Sequence, residues 1–368
     1  MVLFRFLFVG LILLFLSATV SGQKQSIDMS AIPMLWPILE KMEKDMPPSE
    51  DEWKALFETR GYKAMGEWNC NMIKNNLLLV FMPSNRSALE KRLQNGNYWI
   101  KRDLNHLLQV KGRQKELKEY SQKVDVNQQL EKALAKAEAY LPKGITKKIP
   151  PPPIQFIVFG PDARAMGGNI IFDLLYTMNA GEEPFIKILG HEVHHHYSNQ
   201  IPSKVKIPDQ IEPSYTSILD VLNTLKTEGI ADLINRPFPT ILENNDTGRY
   251  MIEKKAHAEH QSKMKTLDSI LSKLNSDTTG MYQLGKYAFN LFPMNCHPNG
   301  HYMAVLVAKH FPKSKLIEAS NNLFLFFRLY KSACDKESNE YRFSKETMHF
   351  VEGLEKRFTI PSKRRADN

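Results

Sequence analysis

Ile188-Leu189-Gly190-His191-Glu192-Val193-His194-His195-His196-Tyr197 decides how the chain is read, because a histidine, an adjacent glutamate and a second histidine stand within five residues. On an α-helix, residues four apart lie on one face about one turn from each other, so the imidazoles of His191 and His195 can converge on a single cation. Zinc is the ion that suits such a pair. Glu192 is rotated off that seam, which sets its carboxylate beside an attacking water rather than on the ion, the place of a general base. Uncharged Ile188, Leu189 and Gly190 precede the motif, and the turn-like Asn179 to Pro184 comes before them, with Pro184 suited to a first helical turn. A helix is expected to start there and bury one side. The run His194-His195-His196 leaves a plainer alternative open, a His-rich surface helix that binds metal adventitiously.

A second stretch bears on that choice. Thr227-Glu228-Gly229-Ile230-Ala231-Asp232 falls within Tyr215 to Asn235, where apolar residues recur at helical spacing. A zinc site that performs chemistry takes three protein ligands and keeps one position open, and two histidines with one glutamate are a known set. Glu228 is the candidate third ligand. Asp232, one helical turn on, shares its face and can accept the N–H of a ligand histidine, fixing the tautomer of that ring. The plain alternative for Glu228 is a solvated carboxylate on a helix face.

Taken together, the two stretches resemble the gluzincin clan of zinc metallopeptidases, in which a helix carrying E-x-x-x-D follows one carrying H-E-x-x-H. The resemblance covers about Ile154 to Asn235 and is closest to the zinc-dependent peptidases found among exported bacterial proteins, a group recognised by sequence more than by assigned substrates. It implies one zinc ion held by His191, His195 and Glu228, with Glu192 as base and Asp232 as orienting acid. It also implies hydrolysis of peptide bonds in a peptide or protein substrate. His194 and His196 depart from the pattern, which has small or apolar residues there; only His191 and His195 combine the spacing with the intervening glutamate. The rival from another class is an exported protein that binds zinc or captures peptides without turnover, and the intact Glu192 speaks against it.

The chain has 368 residues, of which 42% are hydrophobic, enough for a substantial core and not the composition of a disordered chain. Its net charge is +9, but basic residues are interspersed with acids and no aromatic-interleaved basic groove is readable, so nucleic acid is not an expected partner. Met1 to Gly22 reads as a secretory signal, with Arg5 at the start, an apolar run from Phe6 to Leu16, and small residues at Val20-Ser21-Gly22. That run is shorter than the roughly 20 residues a spanning helix needs, so no transmembrane segment is expected after removal of the signal. The predicted location is secreted or periplasmic, within the cell envelope. There, Cys70, Cys296 and Cys334 permit at most one internal disulfide, and none has C-x-x-C spacing.

Four regions are expected: the signal at 1–22, an N-terminal helical layer at 23–150, a catalytic core at 151–240, and a C-terminal helical region at 241–368 packing on the core. In the first layer Ser49 and Glu52 form a capping box, a further helix spans about Met65 to Phe81, and Trp53, Phe57, Tyr62 and Trp68 are read as core. Four consecutive prolines at Pro150 to Pro153 cannot continue a helix and act as a stiff connector. Ile154 to Phe159 and Asn169 to Leu174 then read as strands separated by a loop containing Gly167 and Gly168. By the resemblance, the later strand near Gly168 and Asn169 is the edge that holds an extended substrate; an ordinary sheet strand is the alternative.

Beyond Pro237 the pattern is again helical. His257-Ala258-Glu259-His260 lacks the spacing of a second metal motif and reads as a polar helix face. Cys296-His297-Pro298-Asn299-Gly300-His301-Tyr302 gathers two histidines and a tyrosine at a turn. His297, His301 and Tyr302 are candidates to stabilise the oxyanion, with Tyr302 and His297 preferred, and a capped turn with ordinary histidines is the alternative. The expected fold is α+β and mainly helical: a zincin-like core with a small sheet and two zinc-bearing helices.

Overall fold

The computed structural model describes residues 27–203, 205, 213–235 and 247–359, so the signal expected at Met1 to Gly22 lies outside the described residues. Among those residues helices dominate and one four-stranded sheet is present, an α+β architecture that is mainly helical. No helix among them is long and apolar enough to cross a membrane.

Local chemistry explains where the first helices start. Ser49 Oγ accepts the Glu52 N–H at 3.2 Å while Glu52 accepts the Ser49 N–H at 2.6 Å, so the expected capping box opens the helix Glu50–Phe57. The next long helix is Glu67–Phe81, which turns Cys70, Ile73, Leu77, Val80 and Phe81 inward. Trp68 stands on its opposite face and is 74% exposed, a correction to its reading as core. Trp53 and Tyr62 are buried, and the Tyr62 hydroxyl donates to the Val158 carbonyl at 2.8 Å, tying the helical layer to the segment that follows strand Ile154–Ile157.

The strands are β1 (Ile27–Asp28), β2 (Ile154–Ile157), β3 (Ala163–Met166) and β4 (Asn169–Asp173), in spatial order β1-β2-β4-β3. β2 pairs in parallel with β1 and β4, whereas β3 pairs antiparallel with β4, Met166 facing Asn169. Only Gly167 and Gly168 join β3 to β4, at φ +56° and +74°, the signs a two-residue hairpin turn of the favoured twist demands. β1 and β3 are therefore the edges of the sheet, and β4 with Asn169 is enclosed between β2 and β3. This corrects the placing of the edge near Gly168 and Asn169. Ala-Arg-Ala-Met has none of the β-branched or aromatic residues that mark a strand, and the pairing with β4 makes it one.

Buried side chains form two hydrophobic clusters, one running from Ala31 to Tyr197 and the other from Val205 to Phe358. The helix Glu182–Ser198, which carries the histidine motif, belongs to the first; the helix Pro213–Asn235, which carries Glu228, belongs to the second. These two helices pack on each other, and the second also packs against the helix His297–His310. Gly229 and Gly300 make that last crossing possible, since a Cβ on Gly229 would stand 2.3 Å from the Gly300 carbonyl oxygen. The backbones meet with no side chain between them.

Candidate metal centre

On the motif helix His191 and His195 turn the same way, and their Nε2 atoms lie 2.9 Å apart. Glu228 Oε2, from the second helix, is 3.1 Å from His195 Nε2 and 3.4 Å from His191 Nε2. Ligands about 2.0–2.2 Å from a tetrahedral zinc stand roughly 3.3–3.6 Å from one another, and the three donors, 2.9 to 3.4 Å apart, lie at or slightly inside the edges of such a polyhedron. All three side chains are mostly buried, which keeps water from competing for the donors. The donor set fits zinc on its geometry as well as on its chemistry.

Asp232 is fully buried and serves two rings at once. Its Oδ1 is 3.2 Å from His191 Nδ1 and its Oδ2 is 2.9 Å from His297 Nδ1. An Nδ1–H given to Asp232 leaves the Nε2 lone pair of His191 facing the centre, the tautomer a metal ligand needs. His297 Nε2 in turn reaches to 3.4 Å from Glu228 Oε2, and one donor atom each from His191, Glu228 and His297 fall within 4.8 Å of one another. His297 thus borders the same point in space as the three predicted ligands.

The approach of His297 depends on an unusual turn. Met294, Asn295 and Cys296 take φ of +55°, +50° and +67°, three successive non-glycine residues in the left-handed region, each at a cost of about 1–3 kcal/mol. The His297 N–H to the Met294 carbonyl at 3.1 Å and the Gly300 N–H to the Cys296 carbonyl at 2.8 Å hold it closed. The turn also delivers Asn295, whose Nδ2 donates to Glu228 Oε1 at 3.3 Å and so fixes the carboxylate oxygen that faces away from the histidines. Sequence reasoning missed Asn295. Its only sequence signal was adjacency to His297, together with the tolerance of asparagine for left-handed backbone.

The buried carboxylates Glu228 and Asp232 make this point favourable to positive charge. Burial alone would lower the His191 pKa, yet Asp232 and Glu228 beside it prevail and push it up to about 10. Glu228 sits well below the usual carboxylate range despite its burial, because His297 and His195 face it. Such a pocket favours a bound cation. Glu192 responds in the opposite sense: burial raises its pKa, against the pull of His191 and His195, so its conjugate base holds a proton more strongly than a solvated glutamate.

The centre opens on a cleft of about 500 Å³. Edge strand β3 forms one wall, with Ala163 to Met166 lining it next to Asp162, and His191, Glu192, His195, Asn199, Thr227, Glu228, Asn295 and His297 form the rest. Gly168 and Asn169 do not line this cleft; the Asn169 amide donates to the Gly167 carbonyl at 2.8 Å within the hairpin. Tyr302, five residues beyond His297 and so rotated off its face, is also outside it, with its hydroxyl on Glu340 at 2.6 Å and its ring stacked on His260 at 3.9 Å. His301 is buried near His257. His260 is buried as well, its Nε2 2.9 Å from the Tyr330 hydroxyl, which corrects the reading of that one residue as part of a polar face, while His257, Ala258 and Glu259 are half-buried or exposed. Of the two extra motif histidines, His194 is buried apart from the centre, with burial pushing its pKa down to about 3, and His196 approaches the Pro150 carbonyl at 3.3 Å. All three cysteines are buried and unpaired.

A protein-family model described as "Putative zinc dependent peptidase (DUF5700)" matches residues 53–339, which takes in every residue of the centre. The chain belongs to this family. Neither the curated proteins nor the solved structures contain a significant match to it. The family description agrees with a donor set suited to zinc, and its span carries the match from the helical layer through the helices of His191 and Glu228 to the turn that holds His297.

Proposed function

We propose that this chain is an exported peptidase that holds one zinc ion through His191, His195 and Glu228 and hydrolyses peptide bonds with Glu192 as general base. The observation that carries the proposal is the convergence of three donor atoms from two helices within 3.4 Å, with the Glu192 carboxylate lining the same cleft. Bound there, zinc would polarise the substrate carbonyl and make water acidic enough to attack near neutral pH. Glu192 takes the proton from the attacking water and returns it to the leaving amine, a task its raised proton affinity suits. His297, held at Nδ1 by Asp232, presents Nε2 to the cleft as the donor for the carbonyl oxygen as negative charge develops. A closed set of four protein ligands would leave no place for chemistry, which favours this role for His297 over that of a fourth ligand. β3 offers unpaired main-chain groups on the cleft wall, suited to an extended peptide as an added strand.

Export rests on the apolar run behind Arg5 and the small residues at Val20 to Gly22. A protein that only captures zinc or peptides has no use for a carboxylate at the position of Glu192. The test is Glu192→Gln, assayed for zinc by elemental analysis and for cleavage of a peptide library. Zinc content should be retained while turnover falls by about 10²–10⁴-fold. Turnover equal to that of the natural protein removes Glu192 from the role of base.

A further inference from the structure

Next to the metal cleft, and sharing Asn199 and Thr227 with it, lies a second cavity of about 360 Å³. Its lining includes Ser198, Asn199, Asn223, Lys226, Thr227 and Asn321, and among the described residues no acidic residue is part of it. Asn199 follows His195 by one helical turn and Thr227 precedes Glu228, so the wall between the two spaces is built from the neighbours of the metal-binding residues. Lys226 is only 7% exposed. Its Nζ donates to the Ser320 carbonyl at 2.9 Å, which engages one of three ammonium protons.

The charge of Lys226 is what sets this cavity apart. Burying an ammonium without a counter-charge is costly, and proteins ordinarily pair it. The arginines around the metal cleft follow that rule: Arg102 with Asp103 at 2.8 Å, Arg164 with Asp162 at 3.0 Å, Arg249 with Glu253 at 3.2 Å. Among the described residues, no carboxylate lies within 4.0 Å of Lys226 Nζ. The cavity therefore combines a buried cation, hydroxyl and amide groups able to donate hydrogen bonds, no competing acid among the described residues, and contact with the site of the proposed hydrolysis.

We propose that this cavity is an anion pocket in which Lys226 binds a carboxylate of the substrate, either the chain terminus or an Asp or Glu side chain close to the cleaved bond. The pocket rests on the peptidase reading for its substrate, and it narrows that substrate to acidic peptides or peptides cut near a free terminus. Lys226 and Glu228, two apart on one helix, point to different sides of it, so the carboxylate sits beside the metal cleft and leaves the ion itself to the carbonyl.

The experiment uses the full mature protein loaded with zinc and carrying Glu192→Gln, so that binding is read without cleavage. Three N-acetylated peptides of one sequence are titrated calorimetrically: a free C-terminal acid, its C-terminal amide, and an amide with a single Glu near its end. At least one acidic peptide should bind roughly tenfold or more tightly than the neutral amide, and which one identifies the source of the carboxylate. Adding Lys226→Met should abolish that preference, and Lys226→Arg should restore part of it. Equal binding of all three peptides overturns the pocket, and this comparison needs no change at Lys226 and so no assumption that the variants fold. Persistence of the preference in a folded Lys226→Met protein overturns it too. Cleavage assays with unsubstituted Glu192 separate the two proposals: a Lys226-dependent preference without any turnover sinks the peptidase and leaves the pocket, whereas turnover indifferent to carboxylates does the reverse.

Discussion

Gly300→Ala tests whether the backbone crossing of two helices is what brings His297 to the metal centre. A Cβ at position 300 would stand 2.4 Å from the Leu225 carbonyl oxygen and 3.0 Å from the Gly229 nitrogen, both main-chain atoms that cannot rotate away. Ordinary contact begins near 3.4 Å, so the helices must part by about 1 Å. That displacement falls on His297, only one turn away, whose bond to Asp232 is 2.9 Å long and does not survive a stretch of that size. His191, His195 and Glu228 lie on the other two helices and keep their spacing. The expected outcome is a stability loss of about 1–3 kcal/mol from overpacking, retained zinc, and turnover lower by about 10²-fold from the misplaced imidazole. Calorimetry gives the first quantity, elemental analysis after dialysis the second, and peptide cleavage the third. A Gly300→Ala protein that melts and turns over as the natural one does would refute the reasoning, since the added methyl group would then have found room the structure does not offer.

Asp232→Asn should weaken zinc affinity by about 10–100-fold, measured by competition with a chelator, because the charge that orients His191 and His297 is lost; unchanged affinity would show that Asp232 does not act through the ligands. His260 supplies a pH prediction. Burial pushes its pKa down to about 3 in the folded protein, against about 6.5 in the unfolded chain, so between those values the unfolded state binds the proton and the native state does not. Stability conferred by neutral His260 is therefore complete above about pH 6.5 and is lost as pH falls toward 3. Urea unfolding at pH 7 and pH 4 should show a smaller acid loss in His260→Gln than in the natural protein, the difference being on the order of 3 kcal/mol, and identical losses would contradict this.

The parts legible in the sequence are those fixed by local spacing. His191 and His195 share a face because four residues make about one turn, and Glu228 and Asp232 do so for the same reason, so each half of the centre was readable on its own helix. The capping box at Ser49 and the strand at Ile154 are equally local. What stayed illegible is decided by partners distant in the chain. β3 lacks strand-forming residues and exists through its pairing with β4, although the Gly167-Gly168 pair is a hairpin signal that points to it. Asn295 reaches Glu228 through left-handed backbone at three consecutive positions, which no propensity foretells. Tyr302 looked equivalent to His297 because both follow the same turn, yet the helix carries it round to Glu340 and His260. Trp68 reads as core by helical spacing with Trp53, Phe57 and Tyr62, but its angular offset from Cys70 and Ile73 leaves it in solvent.

The central claim is that side chains from two helices in separate hydrophobic clusters share one divalent cation, and the most direct measurement is the metal content of the dialysed mature protein beside Glu228→Ala. One zinc per chain in the natural protein and close to none in the variant is the predicted result. Absence of stoichiometric zinc from the natural protein, or the same content in both, would contradict it.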